Sequence, residues 1–219
     1  MLVLAVWFAL GAMADAQPAA PAAAWSAKET RLANEYLSLL VAQPEEGRVL
    51  DLLWQLYQSH GETELLIQNI TTQAQAQPHP SVTLVRAHLL KKKADLEAAA
   101  KLYEEVLQQS PGNPHALRSA ARTAAERGLR TEAIRRYEAL AGALPEGAQE
   151  RSAAWLEAGD LAFAEGSAEN AAVFWEKAAA ERTDSLELAR LVAQRLLQAG
   201  LSARAAVFFK TLAANAQPG

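Results

Sequence analysis

KLYEEVLQQSPGNP, residues 101–114, is followed by RRYEALAGALPEGA, residues 135–148, in which the same pattern returns after 34 positions. Tyr103 is matched by Tyr137, and the first proline of each stretch keeps the same offset. Self-similarity at a fixed period of about 20 to 50 residues is typical of repeat architectures, in which each repeat is one supersecondary unit. The sequence therefore predicts a linear array of similar units.

Helical periodicity begins at Ser26 and continues along the chain, without a convincing alternating segment of the kind that forms a β-strand. Ser26 and Glu29 have the spacing of a capping box, so the first helix is expected to start there. Gly, Pro or Asn interrupts the pattern at short intervals, which predicts about eleven helices of roughly 12 to 17 residues. Short connections imply antiparallel hairpins. The predicted fold is all-α.

The repeated positions make the chain similar to the tetratricopeptide repeat family, whose units are helix-turn-helix pairs with a 34-residue period. In the best-matching unit, Trp155 and Trp175 occupy large positions of the family pattern, and Gly159 and Ala171 occupy small ones. The resemblance implies a right-handed α-solenoid of about four to five repeats over residues 26–217.

Small residues allow two helices to approach closely, so we expect Gly159 to face Ala171 with large rings packed alongside. The aromatic residue of each second helix, such as Tyr103 or Trp175, is expected to pack against the following unit. We therefore predict that both aromatic residues are buried and structural.

The predicted array starts with an incomplete unit and continues in five further units. Their bounds are residues 26–46, 47–79, 80–113, 114–151, 152–185 and 186–219. Ala133 and Ala171 lie 38 positions apart instead of 34, which places four extra residues in the connection at 144–150. Trp54 occupies a position that the family fills with a small residue, so the helix spacing there is expected to differ.

The first residues are interpreted as an export signal. Residues 2–13 are apolar, and the small residues at 14–16 fit the site that signal peptidase cleaves. We predict a signal peptide at 1–16, an Ala/Pro linker at 17–25 and a periplasmic location. No Lys or Arg precedes the apolar run, so an uncleaved membrane anchor and a buried first helix stay open as alternatives.

Composition excludes several classes of function. Lys and Arg number 21 against 25 for Asp and Glu, so the chain lacks the broad positive field of a nucleic-acid-binding protein. The absence of cysteine removes disulfides, thiolate metal sites and cysteine nucleophiles. The histidines lack metal-ligand spacing, and no nucleophile elbow, phosphate loop or dinucleotide motif occurs. We expect no catalytic site, metal, cofactor or small-molecule substrate.

The resemblance implies that the first helix of each unit lines a concave groove. Its middle is expected to be basic, because the lining positions of two successive units carry His88, Lys91 and Lys92 and then His115, Arg118 and Arg122. Arg118 and Arg122 are four residues apart and should project side by side, a geometry that can hold a carboxylate or phosphate. An ordinary solvated helix face is the alternative. The family's carboxylate clamp is not reproduced, since Leu84 and His88 occupy two of its places. The predicted partner-binding residues are His88, Lys91, Lys92, His115, Arg118, Arg122 and Asp160.

The sequence thus predicts a non-enzymatic scaffold of the cell envelope that binds a peptide or helix of a protein partner in this groove. The alternative is the N-terminal regulatory array of a larger envelope enzyme, or a membrane-anchored assembly factor, of which this chain is a fragment. The last predicted helix carries Phe208 and Phe209 without a following unit to cover them. Self-association through that helix is a further expectation.

Overall fold

The computed structural model describes residues 24–216, and this part of the chain contains eleven α-helices and no β-strand. The helices are α1 (Ala27–Ala42), α2 (Arg48–Ser59), α3 (Thr63–Ala76), α4 (Pro80–Lys92), α5 (Leu96–Gln109), α6 (Pro114–Glu126), α7 (Arg130–Ala143), α8 (Gln149–Ala164), α9 (Ala168–Glu181), α10 (Leu186–Gln198) and α11 (Ser202–Ala216). The predicted all-α fold is confirmed. The predicted signal peptide at 1–16 and most of the predicted linker lie outside the described residues.

From α4 onward each helix packs against the next one along the chain, and the short connections make neighbouring helices antiparallel. Hairpins stacked on their sequence neighbours form an α-solenoid. Helix starts are capped locally: the side chains of His79 and Asn113 accept amide hydrogen bonds in the first turns of α4 and α6. The predicted capping box between Ser26 and Glu29 is present at the start of α1.

The turns inside the helix pairs carry a residue with a left-handed backbone conformation. Gly128 fills this place after α6 with φ 77°, and Ala94 fills it after α4 with φ 67°. In the first of these turns the amide of Leu129 donates to the carbonyl of Ala124 at 2.9 Å, which closes the helix end. A side chain disfavours this region by about 1–2 kcal/mol. Ala94 therefore occupies the same turn position as Gly128, but with backbone strain.

The helices α8 and α9 approach each other closely at Gly159, as predicted. A Cβ added there would lie 2.4 Å from Cδ1 of Trp175 and 3.1 Å from the carbonyl oxygen of Ala171. Trp175 is 1 % exposed and Tyr103 is 0 % exposed, so both predicted structural aromatic residues are buried. Each belongs to an apolar cluster that joins successive helix pairs.

Helix α8 corrects one expectation from the sequence. It has 16 residues, whereas α6 and α10 have 13, so it is three residues longer. Most of the extra residues expected in the connection at 144–150 thus extend this helix at its N-terminus. The reason is that Arg151 pairs with Glu181 at 2.6 Å and Glu150 lies in the first turn, where a negative charge is favourable.

The first three helices depart from the regular stacking. Trp54 is half-buried in the apolar cluster shared by α1 to α4, and α2 and α3 meet over only a short stretch. A bulky indole at the position of closest approach keeps two helices apart. Helix α1 also reaches α4 directly. Trp25, which the sequence placed in the linker, stacks on His60 with ring centroids 4.3 Å apart, so the folded part starts before Ser26.

The last helix is only partly covered. Phe208 packs against the cluster that contains Val192 and Leu196, whereas Phe209 is 40 % exposed. Among the described helices, each is too short or too polar to cross a membrane.

Candidate functional site

The connection between α1 and α2 lies against most of the residues predicted to bind a partner. It contacts α4 and α6, which carry six of those seven residues. Pro44 in this connection is buried, although Glu45 beside it is exposed. The structure therefore brings the predicted site together around a segment from another part of the chain. The residues gathered here are His88, Lys91, Lys92, His115, Arg118 and Arg122.

Glu46 is the central anion of this cluster. Its carboxylate accepts hydrogen bonds from Nζ of Lys91 at 3.0 and 3.2 Å and lies 3.6 Å from Nη1 of Arg122. Burial by itself raises the pKa of this carboxyl, but the charge and hydrogen bond of Lys91, together with the charge of Arg122, outweigh it, so the pKa of Glu46 falls below its usual value. Glu46 is thus held as a carboxylate.

His88 is the buried polar residue beneath the connection. Its Nε2 lies 3.1 Å from the carbonyl oxygen of Pro44, and its Nδ1 lies 2.8 Å from the hydroxyl of Tyr103. A carbonyl only accepts, so Nε2–H donates to Pro44, and Nδ1 accepts from the Tyr103 hydroxyl. Burial disfavours the imidazolium and lowers the pKa of His88. This residue is 1 % exposed and cannot touch a partner in this conformation.

Further acidic residues pair with the remaining cations of the expected basic surface. Lys91 also pairs with Glu126 at 3.0 Å, and Lys92 pairs with Asp51. Nδ1 of His115 lies 3.5 Å from a carboxylate oxygen of Glu45 and makes no hydrogen bond with it. The expected basic middle of the groove is therefore neutralised by the chain itself. Among the predicted residues Arg118 has no ion-pair partner in the described part of the chain.

The α1–α2 connection divides the open space of the groove. A cavity of about 410 Å³ lies on one side, between Glu46, Asp51 and Lys92. A cavity of about 560 Å³ lies on the other side, between Arg118 on α6 and Glu157 on α8. A space of about 50 Å³ lies between Pro44 to Glu46 and helix α6. Arg122 lines all three spaces.

The larger cavity has an apolar floor and a charged rim. Leu140 and Ala154 are buried at its floor, and Arg118 and Glu150 belong to its rim. Such a mixture binds an apolar side chain while it fixes polar groups at the edge. This cavity is open to solvent in the described structure.

Asp160 lies apart from the other predicted residues and has a structural contact. Both of its oxygens accept hydrogen bonds from Arg195 at 2.6 Å, and its Oδ1 also accepts one from Nε1 of Trp175 at 2.9 Å. A bidentate pair of this kind fixes α8 relative to α10. Its engaged oxygens make Asp160 a weak candidate for partner binding.

Sequence reasoning missed Glu45 and Glu46. The stretch QPEEG was interpreted only as a break between helices. Two adjacent glutamates in a connection, in an array whose groove was expected to be basic, could have indicated that this connection pairs with the groove. Within residues 24–216 no three His, Cys, Asp or Glu side chains are grouped to hold a metal ion.

The chain was compared with protein-family models, curated proteins and solved structures. Residues 90–156 match the family model described as tetratricopeptide repeat. No curated protein matches the chain. Many solved structures resemble the fold, and the three described next do so at sequence identities that are too low to carry function.

The first of these structures is MamA, residue 41 to the end, from Desulfovibrio magneticus RS-1. It has a TM-score of 0.54 and 15 % identity, and the match covers 85 % of this chain and 98 % of that one. BtubC from P. vanneervenii has a TM-score of 0.60, 18 % identity and coverage of 88 % and 92 %. PilF from Pseudomonas aeruginosa has a TM-score of 0.55, 15 % identity and coverage of 88 % and 80 %. These likenesses concern the fold.

Proposed function

Because the chain is a tetratricopeptide repeat protein, we propose that it is a non-enzymatic scaffold that binds a peptide or helix of a protein partner in its groove. The fold is generally that of an interaction module. Stacked helix pairs create an extended concave surface, which such repeat proteins use for binding.

The open cavity between α6 and α8 is the observation that carries this proposal. Its volume of about 560 Å³ is within the range of pockets that enclose a ligand side chain or small group. The apolar floor at Leu140 and Ala154 suits an aliphatic or aromatic anchor of the partner, and Arg118 supplies an unpaired charge beside it. Amphipathic helices and extended peptides present this combination of groups.

The cell envelope is the proposed location of this scaffold. The support is the apolar run at residues 2–13 followed by small residues at 14–16, a pattern typical of an export signal. A fusion of residues 1–30 to a reporter that is active only after export tests this part. Reporter activity is expected, and its loss when residues 2–13 are deleted is the control. An inactive reporter would contradict it.

Partner capture tests the groove. The purified chain serves as bait against an envelope extract, beside the variants Arg118→Glu and Arg135→Glu. Arg135 is an exposed arginine on α7, outside the residues that line the cavities, so its variant has the same charge change as a matched control. We expect a partner that wild type and Arg135→Glu retain and Arg118→Glu loses, with equal melting temperatures. Identical sets of retained proteins for all three baits would contradict the groove assignment.

Self-association through α11 is the second proposed contact, supported by the exposed ring of Phe209. Light scattering at high protein concentration is expected to show a dimer for wild type and a monomer for Phe209→Glu. A monomeric wild type at all concentrations would contradict it.

A further inference from the structure

We propose that the segment from Pro44 to Glu46, here called the plug, is an internal ligand that occupies the middle of the groove and separates its two cavities. The groove then accepts an acidic segment of a partner only when the plug leaves. This inference rests on the proposed groove-binding function and names its ligand chemistry and its control.

The groove recognises the plug through three polar groups in consecutive residues. His88 donates to the carbonyl of Pro44, His115 lies beside the carboxylate of Glu45, and Lys91 binds that of Glu46. The plug is 44 or 45 positions away in sequence from the α4 residues that hold it. The chain thus presents donors for the Pro44 carbonyl and the Glu46 carboxylate, with an imidazole beside the carboxylate of Glu45, as a binding site does for a ligand.

The plug is held in the groove mainly by side-chain contacts, which can break and form again. Among the described backbone hydrogen bonds, the one within this stretch joins the amide of Glu45 to the carbonyl of Gln43 at 2.8 Å. Side chains of α4 and α6 make the other polar contacts. A connection held in this way opens without unfolding a helix, and such segments belong to the low-stability end of a structure.

Removal of the plug would join the spaces that it separates. Cavities of about 410 Å³ and about 560 Å³ lie on its two sides, and Arg122 lines both of them. The same movement uncovers Lys91, whose side chain is 10 % exposed, and removes the Glu46 carboxylate from beside Arg122, which is already half-exposed. Opening therefore produces a longer groove and a cationic centre in a single step.

The uncovered centre determines the chemistry of the partner. The matching occupant is a protein segment with two adjacent carboxylates, because it restores the contacts that Glu45 and Glu46 make. Glu126 and Asp51 stay beside the cations, so a highly charged polyanion such as a nucleic acid is disfavoured. The apparent affinity for an acidic segment is reduced by the fraction of molecules that are closed.

A peptide that copies the plug tests this inference. The probe is a fluorescein-labelled peptide AQPEEG, residues 42–47, and the control probe is AQPQQG. Anisotropy is measured with wild type, with Glu45→Gln plus Glu46→Gln, and with Glu35→Gln plus Glu105→Gln as a matched change of two exposed charges outside the groove. We expect AQPEEG to bind the plug variant about tenfold more tightly than the other two proteins, since the competing internal ligand is weakened.

Three binding results would overturn the inference. Equal affinity of AQPEEG for all three proteins, or no binding to the plug variant, would overturn the inference. Equal binding of AQPQQG would do the same, because carboxylates would then not be recognised. Circular dichroism checks that the plug variant is folded. If it is not, hydrogen exchange of wild type decides: deuterium uptake at residues 43–48 must rise with saturating AQPEEG, and unchanged uptake overturns the proposal.

Failure of this inference is distinguishable from failure of the proposed function. The envelope-extract capture with Arg118→Glu needs no acidic peptide and reports on the open cavity. A partner that depends on Arg118 but binds wild type and the plug variant equally would keep the scaffold function and overturn the plug.

Discussion

Glu46 accepts hydrogen bonds from Lys91 at 3.0 and 3.2 Å, although the two residues are 45 positions apart and belong to different parts of the array. Their side chains are 16 % and 10 % exposed, so the pair is largely screened from water. Because opposite charges interact more strongly away from solvent, this contact fixes the α1–α2 connection over the groove. The middle of the groove is consequently occupied by the chain's own acidic residues.

Tyr103→Phe is expected to lower the free energy of unfolding by about 1–3 kcal/mol, because it removes a hydrogen bond to buried Nδ1 of His88 and leaves that atom without a donor. Urea denaturation measures the change. Tyr137→Phe is the control, since Tyr137 is also buried but makes no such bond in the described part of the chain. Equal effects of the two substitutions would contradict the role given to the Tyr103 hydroxyl.

Gly159→Ala should destabilise the fold by about 1–3 kcal/mol through overpacking. The new methyl group would meet Cδ1 and Nε1 of Trp175 at 2.4 and 2.5 Å, and that indole is fixed by its hydrogen bond to Asp160. Gly142→Ala in α7 meets no atom within 4 Å and is expected to be neutral or stabilising, by up to about 1 kcal/mol. Thermal unfolding followed by circular dichroism compares them. A harmless Gly159→Ala would show that α8 and α9 are less tightly packed than described.

Ala94→Gly is expected to raise the free energy of unfolding by about 0.5–1 kcal/mol. It relieves the left-handed conformation at φ 67°, and the greater freedom of glycine in the unfolded chain offsets part of the gain. The reverse change at the equivalent turn, Gly128→Ala, should cost about 1 kcal/mol. Calorimetric melting of both variants tests the equivalence of the two turns. A lower melting temperature for Ala94→Gly would refute it.

His88 predicts a pH dependence of stability. Its pKa is lowered in the folded protein because burial disfavours the imidazolium; the hydrogen bond to Pro44 and the charge of Glu46 oppose this effect, and Lys91 adds to it. As pH falls through about 6.5, the unfolded chain binds a proton that the folded chain does not bind. The stability associated with neutral His88 is therefore complete above that pH and decreases below it.

Urea denaturation at pH 7.5 and pH 5.5 measures this effect. Wild type is expected to lose more stability between these values than His88→Gln, which retains the other three histidines. Equal losses for the two proteins would contradict the assignment to His88.

The repeat architecture followed from the sequence because its determinants are local. Helix periodicity, caps such as Ser26 with Glu29, and the small residue at Gly159 act within one hairpin or between neighbours. A period of 34 residues therefore predicted the hairpins and the buried aromatic residues Tyr103 and Trp175. The greater length of α8 was missed, since polar residues at 149–151 have no periodic apolar signal to place the helix start.

The state of the groove could not be derived in the same way. Positions on the first helices predicted which side chains line the groove, but the contact of Glu46 with Lys91 and Arg122 depends on where the connection between α1 and α2 lies. The bulky Trp54 at a small position predicted a different helix spacing, but it did not predict where this connection lies. Charge pairing across 45 or more positions is a tertiary property.

A double-mutant cycle between Glu46 and Lys91 tests the central claim most directly. Urea denaturation of wild type, Glu46→Gln, Lys91→Met and the double variant gives the coupling free energy of the pair. If the chain's own acidic segment occupies the groove, the coupling should be about 1 kcal/mol or more, within the range found for contacting residues. Single effects that simply add, to within about 0.3 kcal/mol, would show that the segment does not hold this position.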